Sequence, residues 1–211
     1  LSQGDGRNIT NDFMGGNGYT FQVEFLPFGE FQSKGDYVGS AVKIEKTPKL
    51  SVSFVYDINE NAVRERGRLG NFIMDSNGDY FGHTLYSSFV DLMFKYQRVS
   101  VMMEYASRKT QGKAPIYIKD AVNGDYLAGY YTGNAFNVQA GYMFNNNWEI
   151  AMRYTDVNPD KWVDNDQNQY TLGFSKFIVG HKLKIQSDFT LVNEMNATNS
   201  VLWRTQVEVH F

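Results

Sequence analysis

Eleven ionisable residues, Glu24, Asp91, Lys95, Glu104, Arg108, Glu149, Arg153, Lys184, Asp188, Arg204 and Glu208, fall on the polar positions of alternating runs, all but Arg108 one position away from a large apolar residue. Spacing of this kind serves charge display rather than covalent catalysis, because period two puts every second side chain on one face of a strand. A nucleophile and its base need convergence, and the three histidines, His83, His181 and His210, are scattered; no G-x-S-x-G or H-E-x-x-H motif occurs. No catalytic residue, metal ligand or cofactor is expected. A second group of cations, Arg64, Arg66 and Arg68 in DINENAVRERGRLG (57–70), carries three guanidinium groups on alternate positions of a connection. Folded inward, they would form an electropositive constriction that screens solutes by charge.

The elements that position these charges are nine alternating segments. They carry Tyr19 to Phe25, Leu50 to Tyr56, Tyr86 to Tyr96, Val99 to Tyr105, Phe136 to Tyr142, Trp148 to Tyr154, Tyr170 to Phe174, Leu183 to Phe189 and Trp203 to Phe211 on their apolar faces. A soluble antiparallel sheet alternates in the same way. Three features favour a membrane strand instead. The charges keep to one face, as they must if the other meets lipid, where Lys or Arg near the midplane costs about 2–4 kcal/mol. Aromatic rings bracket the apolar runs, Tyr86 and Tyr96 on one segment, Trp148 and Tyr154 on another. Connections alternate in length: tight at Gln97-Arg98, 144–147 and 179–181, long at 57–83 and 109–132. The stretch 28–49 is long where parity asks for a short turn, and is expected to be a folded one, with Pro48 just before the second strand. Lys176, the one charge on an apolar face, sits at a strand end from which it can snorkel. Gly141, Ala151, Gly173 and Ser175 suggest open space on the polar face.

Composition agrees. Aromatic residues make up 16% of the 211 residues, in a chain polar on average, with a mean hydropathy of −0.43. That mixture suits a barrel with an apolar outside and a wet inside. No run approaches the ~18 apolar residues of a membrane-spanning helix. A net charge of −3 gives no basic footprint for nucleic acid, and the absence of cysteine excludes disulfides and thiolate metal sites. The acidic stretches 75–79 and 156–168 lack the spacing and closing Glu of a calcium loop, and read as solvated turns. The sequons at 8–10 and 196–198 read as coincidence. GGNG at 15–18 precedes no βα unit and so is not a phosphate loop.

The expected fold is therefore all-β: a transmembrane antiparallel up-and-down β-barrel, residues 1–211 forming one domain. Bacterial single-chain barrels use an even strand number, so nine predicts further strands upstream. The end of the chain, with Trp203, Val207, Val209 and Phe211 on one face, resembles the insertion signal of outer-membrane barrels, by which an edge strand adds to the sheet of the insertion machinery. The segments YTFQVEFLPFGEF, KGDYVGS, TPKLSVSFVYDINENAVRERGRLG, DLMFKY and VMMEYASR resemble the phosphate-selective porin O and P family of Gram-negative bacteria, over roughly the first half of the chain. The resemblance implies an integral outer-membrane porin in contact with lipid and lipopolysaccharide. It also implies a 16-stranded barrel of which these are the C-terminal strands, a homotrimer, and ion transport by passive diffusion of small hydrophilic solutes. It does not carry phosphate selectivity across, because the eleven polar-face charges are six acids and five bases. The alternative is a barrel that serves as a structural or interaction partner in a larger assembly.

Overall fold

A computed structural model describes residues 1–4, 14–75, 77–112 and 117–210. Ten strands form one antiparallel meander in which each pairs with its neighbour in the chain: β1 Ser2–Gln3, β2 Asn17–Phe25, β3 Glu45–Ala62, β4 His83–Gln97, β5 Val99–Thr110, β8 Gly133–Met143, β9 Trp148–Pro159, β10 Gln167–Val179, β11 Leu183–Glu194 and β12 Ser200–Val209. The hairpin of β6 Tyr117–Lys119 and β7 Tyr126–Gly129 stands apart as a two-stranded sheet. All nine predicted strands are present, and the chain is all-β. Among the described residues, β1 pairs only with β2 and β12 only with β11.

Register turns the alternation of each strand into two continuous faces, one mainly apolar and one mainly polar. Following Cα partners from β2 to β12, one row reads Phe25, Val52, Leu92, Met103, Val138, Tyr154, Tyr170, Leu191, Val201. The row beside it, on the opposite face, reads Glu24, Ser53, Asp91, Glu104, Asn137, Thr155, Gln169, Val192, Ser200. A slip of one residue in any strand would exchange its faces, so the pattern itself pins the register.

Three strand junctions are tight, with left-handed residues where the chain must reverse: Gln97 at φ 53°, Asn147 at φ 60° and Gly180 at φ 52°. The strands run further than alternation alone indicates. Asp57 to Ala62 belong to β3 rather than to a connection, and Pro48 lies inside β3 instead of before it. The ladder accommodates this proline by a register shift between Glu45 and Lys49, which spares it a donor it lacks.

Two buried clusters cap the ends of the sheet. At one end Ala62, Ile73, Leu85 and Tyr130 pack with Phe81, Ile118 and Ala128, joining the connections 63–82 and 111–132. At the other Ala41, Met143 and Phe177 pack with Val42, holding the segment 26–44 against the sheet.

Candidate functional site

The polar face is the candidate site. All eleven predicted charges lie on it by register, and most of them have a polar partner there. Glu24 accepts a hydrogen bond from Ser51 Oγ at 2.8 Å. Asn137 Nδ2 donates to Glu104 at 3.1 Å while its Oδ1 accepts from Thr155 Oγ1 at 2.9 Å, a polar chain across three strands. Asp91 stands directly opposite Glu104, so two carboxylates face one another. Farther along, charges pair across the ladder: Lys184 with Glu208 at 2.8 Å, and Asp188 with Arg204 at 2.8 Å. His210 Nε2 also reaches Glu208 at 2.7 Å.

Lys95 and Glu149 do something sequence alone did not indicate. Both are buried, at 3% and 5% exposure, beneath the segment 26–44, which crosses the polar face as a strap. Its 3-10 helix Gln32–Tyr37 is tied down by Glu45, whose carboxylate accepts from Gln32 N at 2.6 Å. The Lys95 ammonium donates to the carbonyls of Val38 and Ser40, the latter at 2.9 Å. Ser40 Oγ in turn donates to Glu149 Oε2 at 2.8 Å. Gly141 is therefore not open space. A Cβ there would meet the Glu149 carboxylate at 2.8 Å and Ser100 Oγ at 3.1 Å, so glycine is what lets Glu149 fold over β8. Gly173 does leave room, with nothing closer than 3.8 Å. Beside the strap a trough of about 330 Å³ is lined by Gln139, Arg153, Gly173, Gln186, Asp188 and Arg204.

The three arginines of 57–70 separate in role. Arg64 turns into its own loop, its guanidinium 3.8 Å from the Phe72 ring centroid and donating to Gly70 O at 2.9 Å. Arg66 stacks on Tyr131 at 4.8 Å and acts electrostatically on Arg108. Arg68 alone reaches the strand face, where it pairs with Asp57 at 3.0 Å. The same carboxylate accepts from Thr20 Oγ1 at 2.5 Å. Gly18 seats this arrangement, since a Cβ there would lie 2.1 Å from the Arg68 guanidinium. Arg108 donates through Nε to Ser87 Oγ at 3.0 Å. Nothing local in the sequence marks Asp57 and Gly18, whose partner is a loop folded over the polar face.

The loops are held by Tyr130, fully buried, whose hydroxyl lies 2.5 Å from Ala62 O and 3.1 Å from Phe81 O. Burial pushes its phenol well above the usual tyrosine range. At the opposite end His181 sits against the Phe177 ring. Burial, then the nearby Lys184 and Lys95, holds its imidazole below the ordinary histidine value. Asp75, in the acidic stretch 75–79, spends a carboxylate oxygen on the amides of Asn77 and Asp79 at 2.8 and 3.0 Å. It caps its own turn, and those amides lower its pKa. Lys176 donates to Asn146 O at 2.6 Å and lies over Trp148, so it is tied to a turn at the rim.

The apolar face is bare. Phe21, Phe25, Phe54, Phe189 and Trp203 are 61%, 65%, 48%, 49% and 69% exposed. These five lie at both margins of the sheet, on β2 and β3 and on β11 and β12, and Val90, Tyr105 and Met152 between them are exposed as well, so apolar exposure runs along the face rather than forming one isolated patch. Of the predicted insertion residues, Trp203, Val207 and Val209 share this face on the edge strand β12. Phe211 lies outside the described residues, as does the sequon at 8–10. No family model, curated protein or solved structure matches the chain.

Proposed function

We propose that the chain forms wall of a water-filled outer-membrane channel, a porin through which small hydrophilic solutes and ions diffuse passively. The observation that carries this reading is the pairing of two unlike faces across nine consecutive strands: one mainly apolar and uncovered, the other mainly polar, charged and partly overlaid by its own loops. Water suits only the second face. Lipid suits only the first, and a lipid-embedded sheet must also pair both of its edges, because each orphan backbone group there costs several kcal/mol. Closure into a barrel meets that demand and turns the polar face inward.

Family resemblance extends the proposal to a 16-stranded homotrimer of the phosphate-selective porin O and P type, inserted through the edge carrying Trp203, Val207 and Val209. Lipopolysaccharide would surround the outer loops. The strap would narrow one mouth, and Arg66 and Arg68 the other. Six acids against five bases along the wall, several of them mutually neutralised in ion pairs, favour weak charge selection over phosphate capture.

Planar-bilayer recording of the purified full-length protein under a salt gradient tests this directly. Discrete conductance steps with a small reversal potential are expected. A protein that inserts but passes no current overturns the proposal.

A further inference from the structure

We infer that the cleft under the outer loops is a binding site for a short zwitterionic peptide, two or three residues long with apolar side chains. The inference rests on the channel reading, whose solute class it names. The cleft measures about 380 Å³, within the range of small-molecule sites.

Its floor is one register row across the polar face, and that row breaks the rule of the face. Phe89, Ala106, Ala135 and Val157 are successive partners on β4, β5, β8 and β9. The row then continues through Gln167 to Glu194 on β10 and β11. An apolar strip thus leads from a cationic end to an anionic one. Arg108 stands beside Ala106 near the first end, bonded through Nε to Ser87 and within the fields of both Asp57 and Arg66. No carboxylate of the described residues lies within ion-pair distance of it; Asp57, the carboxylate whose charge it feels, is itself paired with Arg68. Glu194 and Asp164 line the far end, and among the described residues neither is paired with a cation.

A simple anion would satisfy Arg108 and be repelled by the two carboxylates; a simple cation would meet the reverse. Only a ligand with both charges and an apolar body answers all three features. Length follows from strand spacing. Four inter-strand steps separate β5 from β11, about 19 Å between backbones, and the Arg and Glu side chains close part of it. Two or three extended residues span about 7–11 Å, whereas the two charges of a single amino acid lie too close to reach both ends.

Titration calorimetry of the detergent-solubilised full-length protein with Ala-Leu-Ala, its N-acetyl form and its C-terminal amide tests the site. The free peptide is expected to bind at least about tenfold more tightly than either blocked form, since each loses a charge-assisted hydrogen bond. Arg108→Gln should remove the preference for a free carboxylate, and Glu194→Gln with Asp164→Asn the preference for a free amine. Equal affinity of the three peptides, or no binding of any, overturns the inference without recourse to variants. Calorimetry needs no open pore, so conductance without binding sinks the site alone, and binding without conductance sinks the channel alone.

Discussion

Replacing Val90 by arginine separates a lipid-facing sheet from a water-facing one. Val90 lies on the apolar face between Phe54 and Tyr105, 39% exposed. Its depth follows from its rings: Tyr86 and Tyr96 are ten residues apart on β4. Ten residues cover about 34 Å along a strand, and at a tilt near 45° about 24 Å along the membrane normal. That matches the ~25 Å apolar band of outer-membrane barrels, and in a membrane-spanning sheet would put Val90 within one residue of the midplane. Arginine there should cost about 2–4 kcal/mol, a roughly 30- to 700-fold loss in the folded-to-unfolded ratio at about 1.4 kcal/mol per decade. On a solvated face the same change stays within about 0.5 kcal/mol. The adjacent residue supplies a control of opposite sign. Asp91→Arg, on the polar face opposite Glu104, replaces a like-charge pair with an attractive one and should stabilise by about 0.2–1 kcal/mol. Tyr96→Arg, at the rim, should cost at most about 1 kcal/mol from its depth alone. Guanidinium unfolding from phospholipid vesicles measures all three. A Val90→Arg protein as stable as its parent refutes the lipid-facing assignment.

Further outcomes follow from the loops and the strap. Tyr130→Phe leaves the carbonyls of Ala62 and Phe81 without their shared donor and should destabilise by about 1–3 kcal/mol, with faster hydrogen exchange across 63–82. Ser40→Ala combined with Lys95→Met should free the strap, seen as raised conductance and new tryptic cleavage at Lys43 or Lys46; unchanged values for both would show that these contacts do not hold it. Because His181 has its pKa lowered in the fold, the unfolded chain binds the proton more readily. Stability should be full above the unfolded value near 6.5 and fall as pH drops below it. His181→Gln should flatten that part of the unfolding-midpoint profile.

The long strands were legible because alternation is local: Tyr86 to Tyr96 declares its two faces without reference to anything else. Strand ends were less so. Asn158 and Gln167 to Gln169 are polar on both faces, so the pattern fades before the hydrogen bonding does. The docking of the strap depends on distant partners and leaves no local trace, while β1 and the strands of the β6–β7 hairpin are only two to four residues long, too short to show alternation. Residue type identified Lys95, Glu149 and the arginines as wall charges. Which of them would be covered, paired or left facing a cleft depended on Ser40, Asp57 and Gly18, which nothing nearby distinguishes.

The strap also bears on the order of assembly. In this meander each long strand meets the next across a single connection, so the sheet can grow hairpin by hairpin. Ser40 and Glu149, by contrast, are 109 residues apart. Closing so long a loop is entropically slow until the intervening strands have brought its ends together. The Ser40–Glu149 bond must therefore wait for β9, after β2 to β8 have paired. Until then Lys95 can take the Val38 and Ser40 carbonyls, and one end of the polar face stays wider than in the finished fold. A pulse-labelling experiment on refolding protein would see the amides of 32–44 protected after those of β3 and β4, so that the strap settles only once the sheet beneath it is paired.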